Sequence, residues 1–402
     1  MTLGDTALRH VQYLSDTVGP RPVGSAANQR AAAYLQAELA RLGGAVTTQC
    51  LEVPNWEPVA TTLEGGGRSW PAAASLFSPD CAVTAPAVAV CTLAELRAAE
   101  LAGRIALLHG ELCAGTGLSA RRGIYFPERD GQIMDLLEAK RPAAVLAVHS
   151  RPGSVETLFH DWLFPLPSAT VPAEAGRALL EITTPLRLHI TARRGPARSL
   201  NVIGRWPGAR PERVVCLAHF DSVNAAPGAG DNAAGVGCLL AAAEALAARR
   251  ERPVGVELLA VNGEEVGGPG DVTYLEQVGE AGLADILAVI NVDGVGGAVG
   301  CHTLMTLGAS TELQARVAEV GARFPGVAPV EPWYASDHTA FAMRGVPAVA
   351  VSSQGVSELM HTPADTAAWL SPAKLDEVAQ LVLALWEALA DFSPAAARPP
   401  AA

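Results

Sequence analysis

The stretch V214-V-C-L-A-H-F-D221 decides the fold. Five apolar residues run without interruption into His219, Phe220 and Asp221. An unbroken apolar run of this length reads as a strand buried on both faces, and its first strongly polar residues mark the strand's carboxyl end. GAGDN (228–232) follows as a turn, and an Ala/Leu-rich helix is predicted over 233–248. VGVELLAVNG (254–263), ILAVINVD (286–293) and VPAVAVSS (346–353) repeat the buried-strand pattern, with helices predicted over 311–323 and 373–391. Apolar strands alternating with helices imply an α/β fold, a mostly parallel sheet sandwiched by helices.

Toward the N-terminus, Leu8, Val11, Leu14 and Val18 recur at helical spacing, and after the turn GPRPVGS (19–25) so do Ala32, Leu35, Leu39 and Leu42. Two helices are therefore expected, stopped by Gly43-Gly44, with a strand over 46–53. Between about 56 and 194 the texture changes. Pro and Gly punctuate the short apolar runs AVAVCTL (87–93), RIALLHG (104–110), AAVLAVHS (143–150) and LRLHITA (186–192), with one helix near 132–140. This reads as a small β-rich insert, 56–195, interrupting a discontinuous domain of 1–55 and 196–393. The Ala/Pro-rich segment 394–402 is expected to be a disordered tail.

Half of the 402 residues are apolar and 17% are charged, enough to bury a large core. The net charge of −12 repels nucleic acid, and no basic patch offsets it. Seven cysteines contain no CxxC pair, so neither a disulfide framework nor a thiolate metal site is expected. No signal-like leader and no apolar run of spanning length is read, which places the expected location in the cytoplasm, away from membranes.

The polar residues fall where strands end. His219 and Asp221 close the first buried strand, Asp231 lies in the loop before the next helix, and Glu264-Glu265 follow the second strand. Asp293 ends the third, and His361 lies in the loop after the fourth. In a parallel sheet the carboxyl ends share one rim, where ligands bind. Imidazoles and carboxylates without thiolates suit zinc or a similar divalent ion. The count suggests two ions: His219, Asp293 and Asp231 around one, and Glu265, His361 and Asp231 around the other, with Asp231 bridging. Glu264, beside a ligand yet unspent, is positioned to move a proton between water and a leaving amine. The pattern describes amide hydrolysis at a two-metal site.

The string NVIGRWPG, VVCLAHFDS, GAGDNAAGVGCLLAAAEAL, NGEEVG, NVDG, SDHTAF and HTPADT resembles the di-zinc aminopeptidase family that includes aminopeptidase S and aminopeptidase Y. The N-terminal LSDTVGPRPVGSAANQRAAAYL is similar to the start of that family's catalytic domain. The resemblance implies His219, Asp231, Glu265, Asp293 and His361 as metal ligands, and Glu264 as general base. It implies Asp221 behind His219, a strained or cis peptide at Asp231-Asn232, two Zn2+ (with Co2+ or Mn2+ as alternatives), and peptides with a free N-terminus as substrates. The insert is similar to a protease-associated domain, which implies a limit on substrate size and no chemistry of its own. The chain departs from the family at Met360, where relatives often carry Tyr; Tyr334 is the substitute candidate for oxyanion support.

Other histidines (His10, His109, His149, His160, His189, His302) read as structural, because none has convergent partners. Ser336 or Asp337 reads equally well as a helix cap or as part of a substrate pocket. Arg121 and Arg122 read as a solvent-exposed pair. The GAGDN turn lacks the glycine and lysine pattern of a nucleotide loop. Three alternatives share the fold: a carboxypeptidase, for which Arg323 or Arg344 would hold the substrate carboxylate; a glutaminyl cyclase; and a non-catalytic receptor-like protein, which loses the ligands retained here. The sequence leaves the oligomeric state open.

Overall fold

A computed structural model describes residues 2–114, 118, 121, 127–249, 251–355 and 357–400. The chain divides into two compact units, Met1–Val53 with Arg198–Ala402, and Pro54–Ala197. It passes between them within two long strands, Ala45–Gly65 and Leu186–Trp206.

In the first unit the sheet centres on Arg213–His219. This strand runs parallel to Gly255–Val261 on one side and to Ile286–Val292 on the other. Ala348–Gln354 adds a fourth parallel strand beside Ile286–Val292. All four therefore end on the same rim. The flanks are antiparallel: the end of Leu186–Trp206 pairs with Gly255–Val261, and Cys301–Leu307 pairs with Ala348–Gln354. Every residue of Gly255–Val261 and Ile286–Val292 is buried, as a sheet covered on both faces requires.

One face is covered by the helices Leu3–Gln12, Ala26–Arg41, Ala234–Ala247, Thr311–Gly321 and Pro372–Leu389, which share one continuous core. The Ala-rich composition of Ala234–Ala247 lets helices come close: a Cβ on Gly237 would lie 2.7 Å from the Ala7 carbonyl oxygen. The helix begins against the sheet. Asn232, fully buried, accepts the Gly235 N–H at 3.0 Å and donates to the Val292 carbonyl at 2.9 Å. A Cβ at Gly235 would strike both groups at 2.3 Å.

The first predicted N-terminal helix is longer than a plain α-helix. Leu3–Gln12 continues through a π-helical turn, Tyr13–Val18, before the turn at 19–25. Two elements escape the apolar pattern. Cys301–Leu307 contains buried His302 and Thr303, whose polarity hides the strand. Helix Pro269–Ala284 contains Gly270, Gly279 and Gly282, and it is kinked where Gly279 takes φ 64°. The expected disordered tail is corrected: Pro394–Ala397 is helical, and Ala397 is fully buried. The Arg398 guanidinium secures the segment by donating to the carbonyls of Leu283, Ile286 and Gly345. A low-complexity segment is thus held because its one basic residue reaches three backbone carbonyls and Ser310 bonds the carbonyls of Ala396 and Ala397.

The second unit holds its own sheet, in which Ala87–Val90, Ile105–Leu108, Ala144–Val148 and Ser168–Val171 are parallel neighbours. Parallel pairing requires crossovers, and helices Leu93–Ala98 and Glu128–Lys140 supply two of them. The insert is therefore less purely β than its short apolar runs suggest. Arg121 is not a freely solvated cation; it pairs with Asp161 at 2.6 Å and Glu138 at 2.7 Å, and Arg122 lies outside the described residues.

The contact of Gly237 with Ala7 makes a stability prediction. Gly237→Val forces the two helices apart and should cost about 2 kcal/mol, read as a lower urea midpoint with unchanged m-value; an unchanged midpoint contradicts the packing described.

Candidate metal centre

Four parallel strand ends and one loop bring the polar residues together. His219 is the last residue of its strand and is fully buried. Its Nε2 lies 3.2 Å from Asp231 Oδ1 and 3.4 Å from Asp293 Oδ1, while its Nδ1 faces Asp221 Oδ1 at 3.5 Å. His361, at φ 61°, turns Nε2 to within 3.1 Å of both Asp231 Oδ2 and Glu265 Oε2. Asp231 thus offers one oxygen to each imidazole. The ligand atoms of His219, Asp231 and Glu265 all lie within 4.8 Å of one another. The Asp231-Asn232 peptide bond is cis. Phe220, between the two polar residues of its strand, points the opposite way into the helical core.

Electrostatics follow from burying many acids with few bases. Burial pushes the Glu265 carboxyl up to about 7, against the pull of His361. Burial also drives Glu264 well above the usual carboxyl range, with Asp337, Asp293 and Glu265 adding to the effect. For His219 burial opposes charge, but Asp293, Asp221 and Asp231 outweigh it and raise its pKa well above that of free imidazole. Asp231 moves the other way: burial is overcome by two imidazoles, which hold it far below the normal range. Several buried atoms here have no hydrogen-bond partner, among them Glu265 Oε1, Asp293 Oδ1, Asp221 Oδ2 and both ring nitrogens of His219. Buried polar atoms are normally satisfied. A divalent cation would satisfy those that face the cluster, Glu265 Oε1, Asp293 Oδ1 and His219 Nε2, and offset the acidic excess, so the donor set fits such an ion.

Supporting residues that the strand-end pattern did not reveal hold the loops in place. Asp365 accepts the N–H groups of Gly230 at 2.7 Å and Asp231 at 3.1 Å, and burial raises its carboxyl to about 6. Arg21 is completely buried, and no described carboxylate pairs with it. It donates to the carbonyls of Phe220 at 2.6 Å, Pro227 at 2.5 Å and Gly228 at 2.8 Å, tying the His219 strand end to the loop before Asp231. Burial pulls its pKa down to about 10, with Asp221 and Asp365 opposing. Its sequence signal was present in GPRPVGS but read only as a turn. Asp221 Oδ1 also accepts the Gly263 N–H at 2.8 Å, joining two strand ends.

Ser336 caps no helix: its hydroxyl donates to Asp293 Oδ2 at 2.7 Å and accepts from Asn291 at 2.8 Å. Asp337 also makes no cap hydrogen bond to helix His338–Ala342. It is buried with Asp271 beyond Glu264; burial raises Asp271 to about 7, and burial with the neighbouring Asp271 raises Asp337 well above the usual carboxyl range. Met360 packs on Gly294, where a Cβ would lie 2.8 Å from its Cε. Tyr334 lies 47% exposed on the loop before His338. Arg344 precedes strand Ala348–Gln354, at the end away from the rim, and pairs with Glu280 at 2.7 Å; Arg323 is exposed after helix Thr311–Gly321. Neither arginine joins the cluster. No described helix is long and apolar enough to cross a membrane.

Residues 201–386 match the profile of Peptidase family M28, and this segment belongs to that family. A probable leucine aminopeptidase 2 from Aspergillus fumigatus is 27% identical over 286 residues, 68% of this chain and 54% of its own length. A probable leucine aminopeptidase from Arthroderma otae is 32% identical over 196 residues, 44% of this chain and 54% of its own length. The chain therefore spans about half the length of these fungal relatives. Among solved structures, an aminopeptidase from Aneurinibacillus sp. strain AM-1 superposes with a TM-score of 0.77 at 23% identity, covering 98% of this chain and 94% of that one. The zinc aminopeptidase BSAP from Bacillus subtilis gives 0.78 at 22% identity, with 95% and 94% covered. These superpositions establish the shared fold, a mostly parallel sheet between helices.

The raised acids and His219 set a pH dependence for protein stripped of divalent ions by chelator. A group whose folded pKa exceeds its unfolded value stabilises the fold when protonated, and that stabilisation is lost as pH rises through the folded pKa. The inward-facing histidines with lowered pKa, such as His10 at about 4, act oppositely, but only below about pH 6.5. Between pH 6.5 and 8.5 the chelated protein should therefore lose stability, by roughly 1.4 kcal/mol per pH unit for each proton retained. Chemical denaturation across that range measures it; a flat or rising profile contradicts the assigned shifts.

Proposed function

We propose that the chain is a metallo-aminopeptidase that removes N-terminal residues from peptides at a centre of two divalent cations. The observation that carries this is Asp231, with one carboxylate oxygen at hydrogen-bond distance from each of two imidazole Nε2 atoms. Zinc is the proposed metal, from the imidazole–carboxylate donors and from the zinc aminopeptidase that shares the fold. His219 and Asp293 would hold one ion, Glu265 and His361 the other, and Asp231 both. When bound, such a pair supplies Lewis-acid polarisation of the scissile carbonyl and acidifies water.

The chain's own residues do the rest. Asp221, behind Nδ1, fixes the ring of His219 so that Nε2 faces the rim. Ser336 aims Asp293, and Asp365 with Arg21 holds the loop that carries Asp231. Glu264, protonated by burial in the metal-free site, would be ionised by the positive charge of bound cations and would then take a proton from the attacking water and return it to the departing amine. Acidic side chains at the rim, Glu264 and Asp293, suit a substrate's cationic N-terminus. Tyr334 is the proposed oxyanion partner, since the thioether of Met360 cannot donate a hydrogen bond. The unit 54–197 is read as protease-associated-like, restricting peptide size. A carboxypeptidase reading is less favoured because neither Arg323 nor Arg344 joins the cluster.

Glu264→Gln should lower kcat on aminoacyl-nitroanilides by about 10²- to 10⁴-fold, with two equivalents of zinc retained by elemental analysis. His361→Ala should retain fewer. Undiminished turnover in the first variant would remove Glu264 as the base. Mass spectrometry of a digested peptide should show shortening from the amino end; loss from the carboxyl end would replace the aminopeptidase reading.

A further inference from the structure

At the opposite end of the central strands lies a cavity of about 890 Å³. Arg213 opens the strand that His219 closes. Six residue steps separate them, about 20 Å at the usual strand rise. The cavity is therefore remote from the rim cluster. Its size falls in the range of small-molecule sites. Among the described residues, its lining includes Arg205, Arg210 and Arg213 and no carboxylate, although the whole chain carries a net charge of −12.

Behind the arginines, Glu257 is fully buried. Its Oε2 accepts from Arg205 Nε at 2.6 Å and Arg213 Nε at 2.9 Å, and its Oε1 accepts from the Tyr274 hydroxyl at 2.6 Å. Burial drives the Tyr274 pKa upward, so the phenol stays neutral. Two guanidiniums against one carboxylate leave one net positive charge. Arg205 and Arg213 spend only Nε on Glu257. Their Nη nitrogens make no other hydrogen bond or ion pair to a described side-chain carboxylate, with the Tyr274 hydroxyl as a further polar neighbour. Arg210 is committed elsewhere, to the carbonyls of Ala390 and Phe392. Glu257 thus acts as a rigid anchor that holds two forks in place, with donors to spare, beside a cavity. Buried Ile203 and half-buried Val278 give the lining an apolar part, and exposed Gln277 stands at its edge.

We propose that this cavity binds a small organic anion, with a carboxylate or phosphate head between Arg205 and Arg213 and an apolar body toward Ile203 and Val278. Planar guanidinium forks recognise both heads in the same way. The proposal is independent of the peptidase reading, since it uses none of the rim residues.

Isothermal titration of the full chain at low ionic strength, with phenyl phosphate, phenylacetate and inorganic phosphate as probes, tests it. At least one phenyl probe should bind saturably at one site per chain at low millimolar concentration, and more tightly than inorganic phosphate. The tighter phenyl probe identifies the preferred head. Arg205→Gln should weaken that binding by about tenfold. Gln277→Glu, which leaves the Glu257 cluster intact and places a negative charge at the edge, should weaken it as well, with unchanged thermal stability and peptidase turnover. Absence of saturable binding, equal affinity in wild type and Gln277→Glu, or inorganic phosphate binding as tightly as the phenyl compounds would each overturn the proposal.

Discussion

Asp231 lies between two imidazoles, one oxygen turned to each, and the rest of the architecture at the strands' carboxyl ends can be read as what keeps it there. A carboxylate on a loop has many rotamers and a flexible backbone. Here Asp365 pins the loop through two N–H groups, and Arg21 holds the two carbonyls just before it. Asn232, the next residue, locks the following helix onto the end of the Asp293 strand. The position of one side chain is over-determined by contacts from the N-terminal turn at 19–25, a strand end, a helix start and a loop more than a hundred residues later.

The same economy of buried charge recurs at both ends of the sheet. At the rim, acids outnumber bases and several buried atoms lack a hydrogen-bond partner. At the other end, the sign is reversed: two arginines share one buried glutamate and face a cavity without acids. Parallel strands make this separation natural, because their amino and carboxyl ends collect on opposite edges. Each edge can then be given its own charge without conflict.

Much of this was legible in the sequence because buried strands are monotonously apolar, so the first polar residue after each one stands out. His219, Asp293 and the Glu264-Glu265 pair were visible for that reason. Arg21, Asp365 and Asp271 were not. Each works through backbone groups or through residues distant in the chain, and none interrupts an apolar run in a telling way. Ser336 was misread as a possible cap because serine before a short helix has the same local signature whether it bonds its own backbone or, as here, a remote aspartate. Strand Cys301–Leu307 was hidden by His302, whose burial is tolerated through Glu377 at 2.8 Å, a residue on the C-terminal helix.

The sequence by itself determined the α/β class, the parallel strands and which polar residues close them, since burial on two faces leaves only one kind of side chain inside a strand. Tertiary structure alone decided that a single aspartate would face both histidines, that a buried arginine would hold the loop from behind, and that the helix Pro394–Ala397 would be secured through Arg398. Those outcomes depend on distances between segments that no local pattern encodes: hydrogen bonds to orphan carbonyls and amides, available only once the sheet has brought its strand ends together.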